Sequence, residues 1–191
     1  MSTKLKIAAA VAAAVLLSAC SSPKHEPMPL VSFTPSLEVT EVWSKGLSSA
    51  EGFLVPAVYD DMVFAAGGKT LTRLNARTGE TEWSVSFDSP ITGGVGSDGY
   101  VTAVGLWDGN LEVVDAGGKV SWEKKLTTEL ASPPVVSHGL VIARTMDTRV
   151  SAFEASSGEL QWTYQKSQPA LTVRLPTRML AHDNFLLVGQ P

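Results

Sequence analysis

Apolar and polar residues alternate along this chain in short bursts. Trp83, Val85 and Phe87 fall on one side of one burst, with Glu82, Ser84 and Ser86 on the other. A period of two marks a strand with one buried face. Similar bursts recur at 54–58, 62–66 and 70–74, then at 100–104 and 110–114, then at 134–136, 140–144 and 149–153, with 176–180 and 185–188 after them. Turn residues separate them: Asp60-Asp61, Asp98-Gly99, Asp108-Gly109, His138-Gly139 and Asp147-Thr148. Beyond the first twenty or so residues, no stretch shows the 3.6-residue period of an amphipathic helix. The pattern predicts an all-β chain.

A longer period lies over the short one. Trp43, Trp83, Trp122 and Trp162 recur about every 40 residues. Gly79, Gly118 and Gly158 each stand four residues before a tryptophan, and Ala76, Ala116 and Ala155 stand two or three residues before each glycine. This is a hairpin: a strand ends at the alanine, turns through a polar loop on a glycine with positive φ, and returns as the tryptophan strand. Four short antiparallel strands per repeat of this length make one blade of a β-propeller. The tryptophans are expected to seal the gaps between neighbouring blades. Blades are predicted at 53–87, 91–126 and 132–166, with a partial blade over 171–191. The Trp43 segment, 39–44, is expected as a lone strand that closes the ring on a last blade. Gly93, Gly94 and Gly96 read as a loop leading into the second blade. Residues 37–191 thus hold an incomplete ring of roughly three and a half blades, whereas propellers close with about four to eight. The expectation is that the chain is the N-terminal part of a longer protein, cut by an incomplete gene model or a frameshift.

The N-terminus changes the setting. Lys4 and Lys6 precede an apolar run over 7–17, and Ser18-Ala19 leads to Cys20. That is a secretory signal peptide over 1–19; the run is too short to span a bilayer, which needs about 20 residues. Leu17-Ser18-Ala19-Cys20 resembles a bacterial lipobox, which implies lipidation at Cys20 and stable anchoring by several acyl chains. Ser21, rather than Asp, after the cysteine favours the outer membrane. Cys20 is the sole cysteine, so no intramolecular disulfide forms in the oxidising compartment. Residues 20–36, with Pro23, Pro27, Pro29 and Pro35, read as an extended tether.

Composition and candidate chemistry narrow the function. Charged residues make up 18% of the chain, the net charge is −4, and no Lys/Arg-rich run exists, which argues against nucleic acid as a partner. His25, His138 and His182 are scattered in the tether and in turns. Asp60, Asp61, Asp98, Asp108 and Asp147 precede turns, where Asp bonds its own backbone; they are too dispersed for the six to eight oxygens of a calcium site. No set of residues has zinc spacing, no glycine-rich loop opens a helix, and no cofactor or catalytic constellation is expected. Trp107 breaks the tryptophan series at a hairpin tip, either as a surface contact or packed on the neighbouring loop.

The segment Ala76-x-Thr78-Gly79-x-x-x-Trp83 and its two relatives resemble the PQQ-type propeller repeat. With the lipobox and tether, the chain resembles the BamB family, outer-membrane lipoproteins of the β-barrel assembly machinery. The resemblance implies a non-catalytic, periplasm-facing scaffold. Such a scaffold would bind BamA and help outer-membrane proteins fold and insert, with blade edges able to pair with nascent strands. Leu171, Val173 and Arg174 are similar to a Leu-x-Leu-Arg loop that contacts a POTRA domain of BamA in this family, with Val in the middle place and Leu175-Pro176 where Gly usually follows. Acidic partner-binding residues of a later blade would fall beyond Pro191. The alternative is a fragment of a PQQ-dependent periplasmic dehydrogenase, which shares the repeat. That reading leaves the lipobox unexplained and lacks the paired cysteines common in those enzymes.

Overall fold

A computed structural model describes residues 28, 36–48, 52–167 and 177–189. The chain divides into two units, Met1–Thr40 and Glu41–Pro191. Of the first, residues 28 and 36–40 are described, and none lies in a strand. The signal peptide, Cys20 and nearly all of the tether lie outside the described residues. The second unit contains no helix among its described residues.

Its strands run β1 (Phe53–Leu54), β2 (Ala57–Tyr59), β3 (Met62–Gly67), β4 (Thr70–Asn75), β5 (Thr81–Ser86), β6 (Ile91–Ser97), β7 (Val101–Leu106), β8 (Asn110–Asp115), β9 (Val120–Lys125), β10 (Val135–Ser137), β11 (Leu140–Arg144), β12 (Arg149–Glu154), β13 (Leu160–Gln165), β14 (Met179–His182) and β15 (Phe185–Val188). They form antiparallel meanders β2-β3-β4-β5, β6-β7-β8-β9 and β10-β11-β12-β13, then the hairpin β14-β15. The first strands of all four sheets line one cleft of about 430 Å³, through Ala57, Gly96, Val135 and Met179 among others. Sheets arrayed around a shared cleft by their innermost strands are the blades of a propeller.

The core lies between the sheets. Phe64, Leu71, Ile91, Val104 and Val114 fill the gap between the first and second; Leu111, Val113, Val141 and Phe153 that between the second and third; Ile142, Val150, Ala152 and Met179 that between the third and fourth. Both faces of β8 and β12 are therefore buried, whereas β5, β9 and β13 are largely exposed.

Each tryptophan works in the same way. The ladder slips by one residue beside the tryptophan, between Arg73 and Leu74, Val113 and Val114, and Ala152 and Phe153. Such a bulge turns the following side chain out of the plain alternation. The ring then seats on the next repeat. The indole N–H of Trp43 donates to the Ala76 carbonyl at 2.8 Å, Trp83 to Ala116 at 3.0 Å and Trp122 to Ala155 at 2.9 Å, each 33 residues ahead. The face of each ring lies over Gly79, Gly118 or Gly158, where a Cβ would come within 2.6, 2.9 or 2.7 Å of it. These three glycines have φ of 73°, 85° and 71°, so both the turn and the ring demand glycine. Trp162 has no such seat among the described residues and is 39% exposed.

Two local expectations change, at 54–58 and at Gly93, Gly94 and Gly96, while the closing role of 39–44 goes untested. The burst at 54–58 is two strands. Leu54 pairs in parallel with Gly94 of β6, while Ala57 begins β2 against Phe64. Pro56, which has no N–H to give a ladder, stands at the switch. The segment 39–44 forms no ladder among the described residues, although Trp43 within it takes a full inter-repeat seat. Gly93, Gly94 and Gly96 are not a loop but part of β6, a buried innermost strand. A Cβ on Gly93 would meet Leu130 at 2.8 Å, and one on Gly96 would meet the Pro134 carbonyl oxygen at 2.2 Å. The glycines serve close approach between blades, not turning.

Candidate functional site

Leu171, Val173 and Arg174 lie outside the described residues. The structure does describe both ends of the connector that holds them and the rim on which it begins. That rim is built from the β3-β4, β7-β8 and β11-β12 tips and the connectors between sheets. Ile91 N–H donates to Gly68 O, Trp107 N–H to Pro90 O, Leu126 N–H to Gly109 O and Met146 N–H to Glu129 O, at 2.8–3.0 Å. Each tip is thus tied to the connector beside it. On the third tip, the Thr148 hydroxyl donates to Asp147 O at 2.6 Å, and Lys166 O, just after β13, lies 3.2 Å from it. At the other end of that connector the Arg144 guanidinium donates to the Thr177 hydroxyl at 2.5 Å, just before β14.

Trp107 stands at the β7-β8 tip and is 60% exposed. Its ring is presented to solvent, which resolves the two sequence alternatives in favour of the surface. Asp88, Asp108, Glu129 and Asp147 share the rim with Lys69, which donates to Asp88 O at 2.6 Å, and Lys125, which donates to Asp108 O. Burial pushes the Asp147 carboxyl up, but hydrogen bonds from Thr145, Thr127 and the Arg149 N–H, with the Arg149 charge, outweigh it and hold Asp147 low.

Two charged groups beneath the rim escaped the sequence reading. Glu112 of β8 is 6% exposed and lies directly across from Glu123 of β9. The neighbouring sheets place hydroxyls at the matching pair, Thr72 with Ser84 at 3.1 Å and Ser151 with Thr163 at 3.2 Å. Burial, then the charge and hydrogen bonding of Glu123, then Asp108 and Asp88, raise the Glu112 carboxyl to about 7. Arg144 is the second, 4% exposed, with its Nε buried and unpartnered among the described residues; burial lowers its affinity for the proton. A register comparison of the three repeats signals both, since each puts a charge where its counterparts are small or neutral.

His138 sits in the turn after β10 with φ of 53°, and His182 ends β14; both are exposed. Among the described residues no three His, Cys, Asp or Glu side chains converge as metal ligands do.

Comparison with known proteins decides the family. The family described as outer membrane protein assembly factor BamB matches residues 39–90 and 67–191. The chain belongs to the BamB family. It is 38% identical over 189 residues to a BamB of Burkholderia pseudomallei, covering 96% of this chain and 50% of that one. It is 32% identical over 182 residues to a BamB of Bordetella pertussis, covering 92% and 47%. The chain spans about half the length of the curated BamB relatives it matches. A crystal structure of BamB from Moraxella catarrhalis superposes with a TM-score of 0.58 at 27% identity, over 68% of this chain and 39% of that one. A quinohemoprotein alcohol dehydrogenase from Pseudomonas putida shares the fold, with a TM-score of 0.53 at 22% identity, and nothing further is carried by it. The BamB repeat and the BamB fold are therefore both present, and the dehydrogenase alternative is not favoured.

Proposed function

We propose that this chain is a non-catalytic scaffold of the outer-membrane β-barrel assembly machinery. It is lipidated at Cys20, anchored in the outer membrane and facing the periplasm. Its connector at Leu171, Val173 and Arg174 docks on a POTRA domain of BamA. The observation that supports this best is the BamB match over residues 39–191, on a fold whose rim gathers connectors, an exposed Trp107 and turn carboxylates. Apolar side chains beside an arginine make an interface hot spot, and a rim of linked tips is a rigid platform for one. The exposed strand β13 is a candidate edge for nascent strands.

The test uses the full chain and a soluble POTRA fragment of BamA. Arg174→Glu should weaken binding at least tenfold, on the scale of a truncated hot spot. Binding that survives the charge reversal refutes the assignment of the connector. Mass spectrometry of membrane-extracted protein should find Cys20 as a lipidated N-terminus; an unmodified Cys20 refutes the anchor.

A further inference from the structure

The groove between the second and third sheets carries cations at two positions where the repeat elsewhere carries none. Two residues after each repeat tryptophan stand Val85, Lys124 and Tyr164. Val85 packs into the first gap. Lys124, opposite the buried Leu111, brings an ammonium to the second. The third strand of each sheet begins at Thr70, Asn110 or Arg149, so the third sheet alone places a guanidinium there. Arg149, Ser151 and Phe153 share a face by alternation, and Phe153 fills the second gap. The two cations therefore line one space from opposite walls. It is a cavity of about 310 Å³, at the small end of the range of about 300–1,000 Å³ that ligand sites occupy.

The protein's own carboxylates leave these charges largely unmatched. None lines the cavity, and Lys124 forms no ion pair among the described residues. Arg149 donates through Nη2 to Gln165 Oε1 at 3.2 Å; its Nε, buried without a hydrogen-bond partner, lies 3.8 Å from Asp147 Oδ2. That carboxylate is already engaged. Oδ2 accepts from the Thr127 hydroxyl at 3.0 Å, and Oδ1 accepts from the Thr145 hydroxyl and the Arg149 N–H. Nη1 is left to donate elsewhere. The second sheet has a carboxyl pair at the matching place, Glu112 and Glu123, but Glu112 stands opposite Val104 and so faces the first gap.

The rest of the lining fits the same kind of guest. The Ser151 and Thr163 hydroxyls bond each other at 3.2 Å, which uses one proton of the two and leaves the other to donate. Leu126, Ala143, Phe153 and Leu160 make the cavity otherwise apolar. An ammonium, a guanidinium and one hydroxyl beside an apolar wall suit an anion carried on an apolar body. So few donors match the two oxygens of a carboxylate better than the three of a phosphate monoester.

We propose that this cavity between blades binds a small amphiphilic carboxylate, its head held by Lys124 and Arg149 and its body laid on Phe153 and Leu160. The cavity shares no residue with the connector over 166–178.

An amide-detected NMR titration of the full chain with hexanoate tests it. Hexanoate should saturate with a Kd below about 1 mM, and the shifts should centre on 124–127 and 149–153. Acetate, the head without the body, and hexanol, the body without the head, should each bind at least about tenfold more weakly. Lys124→Gln and Arg149→Gln should each weaken hexanoate at least about fivefold. Lys124→Arg should stay within about twofold of the parent. Lys119→Gln, in the turn before β9 and outside the cavity, should bind as the parent does. Lys124 is exposed, so its variants keep the fold; if Arg149→Gln unfolds, the Lys124 pair decides. Hexanol binding as tightly as hexanoate shows an apolar surface only and overturns the proposal. So does parental affinity in Lys124→Gln and Arg149→Gln, a loss in Lys119→Gln equal to theirs, or no saturation by about 10 mM. Hexyl phosphate binding more tightly than hexanoate overturns the choice of carboxylate.

Discussion

The Glu112–Glu123 pair should make the fold more stable in mild acid than at pH 8. Directly opposed like charges on neighbouring strands repel, and Glu112 is nearly sealed from water. Its carboxyl is raised from 4.5 to about 7 by burial, then by Glu123, Asp108 and Asp88. No cation figures among the causes, so nothing offsets them. An acid whose pKa is higher in the folded state favours folding most below its unfolded value. That stability is lost as pH rises through the folded value, because the unfolded chain binds fewer protons in between. A rise of about 2.5 units is worth about 3 kcal/mol at about 1.4 kcal/mol per unit. The window runs from pH 4.5 to about 7. Asp147 acts the opposite way, losing its contribution as pH falls through its lowered value, so the comparison must be between variants at each pH. Glu112→Gln should match the parent within about 1 kcal/mol at pH 5 and exceed it by about 3 kcal/mol at pH 8. Chemical denaturation at pH 5, 6, 7 and 8 reads both. The double variant Glu112→Thr, Glu123→Ser copies the hydroxyl pair of the neighbouring sheets and should flatten the profile equally. A gap between parent and Glu112→Gln that is the same at pH 5 and pH 8 refutes the reasoning.

Two further outcomes come from the packing. Gly96→Ala puts a Cβ 2.2 Å from the Pro134 carbonyl oxygen, a backbone atom with nowhere to move, and should cost about 3 kcal/mol or more in denaturation. Gly46→Ala meets nothing within 4 Å and should be neutral within about 0.5 kcal/mol; equal effects would sink the close-approach argument. Trp122→Phe loses the bond to Ala155 O and part of the ring over Gly158. It should cost about 1–3 kcal/mol by the same assay, and a loss under about 0.5 kcal/mol would show the seat to be idle.

What the sequence made legible is what each repeat does within itself. The alternation over 82–87, the Ala-to-Gly turn and the spacing of the tryptophans are local patterns, and the structure places Trp83 and Trp122 between sheets as expected. Where the reading failed, the deciding contact came from another blade. Gly93, Gly94 and Gly96 look like a loop until Leu130 and Pro134, in the connector before β10, press on them. The burst at 54–58 looks like one strand until the parallel partner Gly94 claims its first half. Nothing local in Leu-Val-Pro-Ala-Val announces that partner.

The repeat also tells where to look for function, because it supplies its own control. Residues that agree across sheets, such as Gly79, Gly118 and Gly158, are required by the turn and the ring wherever they occur. They would be the same in any propeller of this type, and so carry no information about a partner. Residues that break the agreement have no such excuse. Glu112 stands where its counterparts carry hydroxyls and Arg144 where they are small, and burying either charge is costly. Arg144 bonds Thr177, at one end of the connector whose side chains resemble a partner-binding loop. A fold indifferent to that connector would gain stability from a small residue in place of Arg144, as the other sheets have at Ala66 and Gly105.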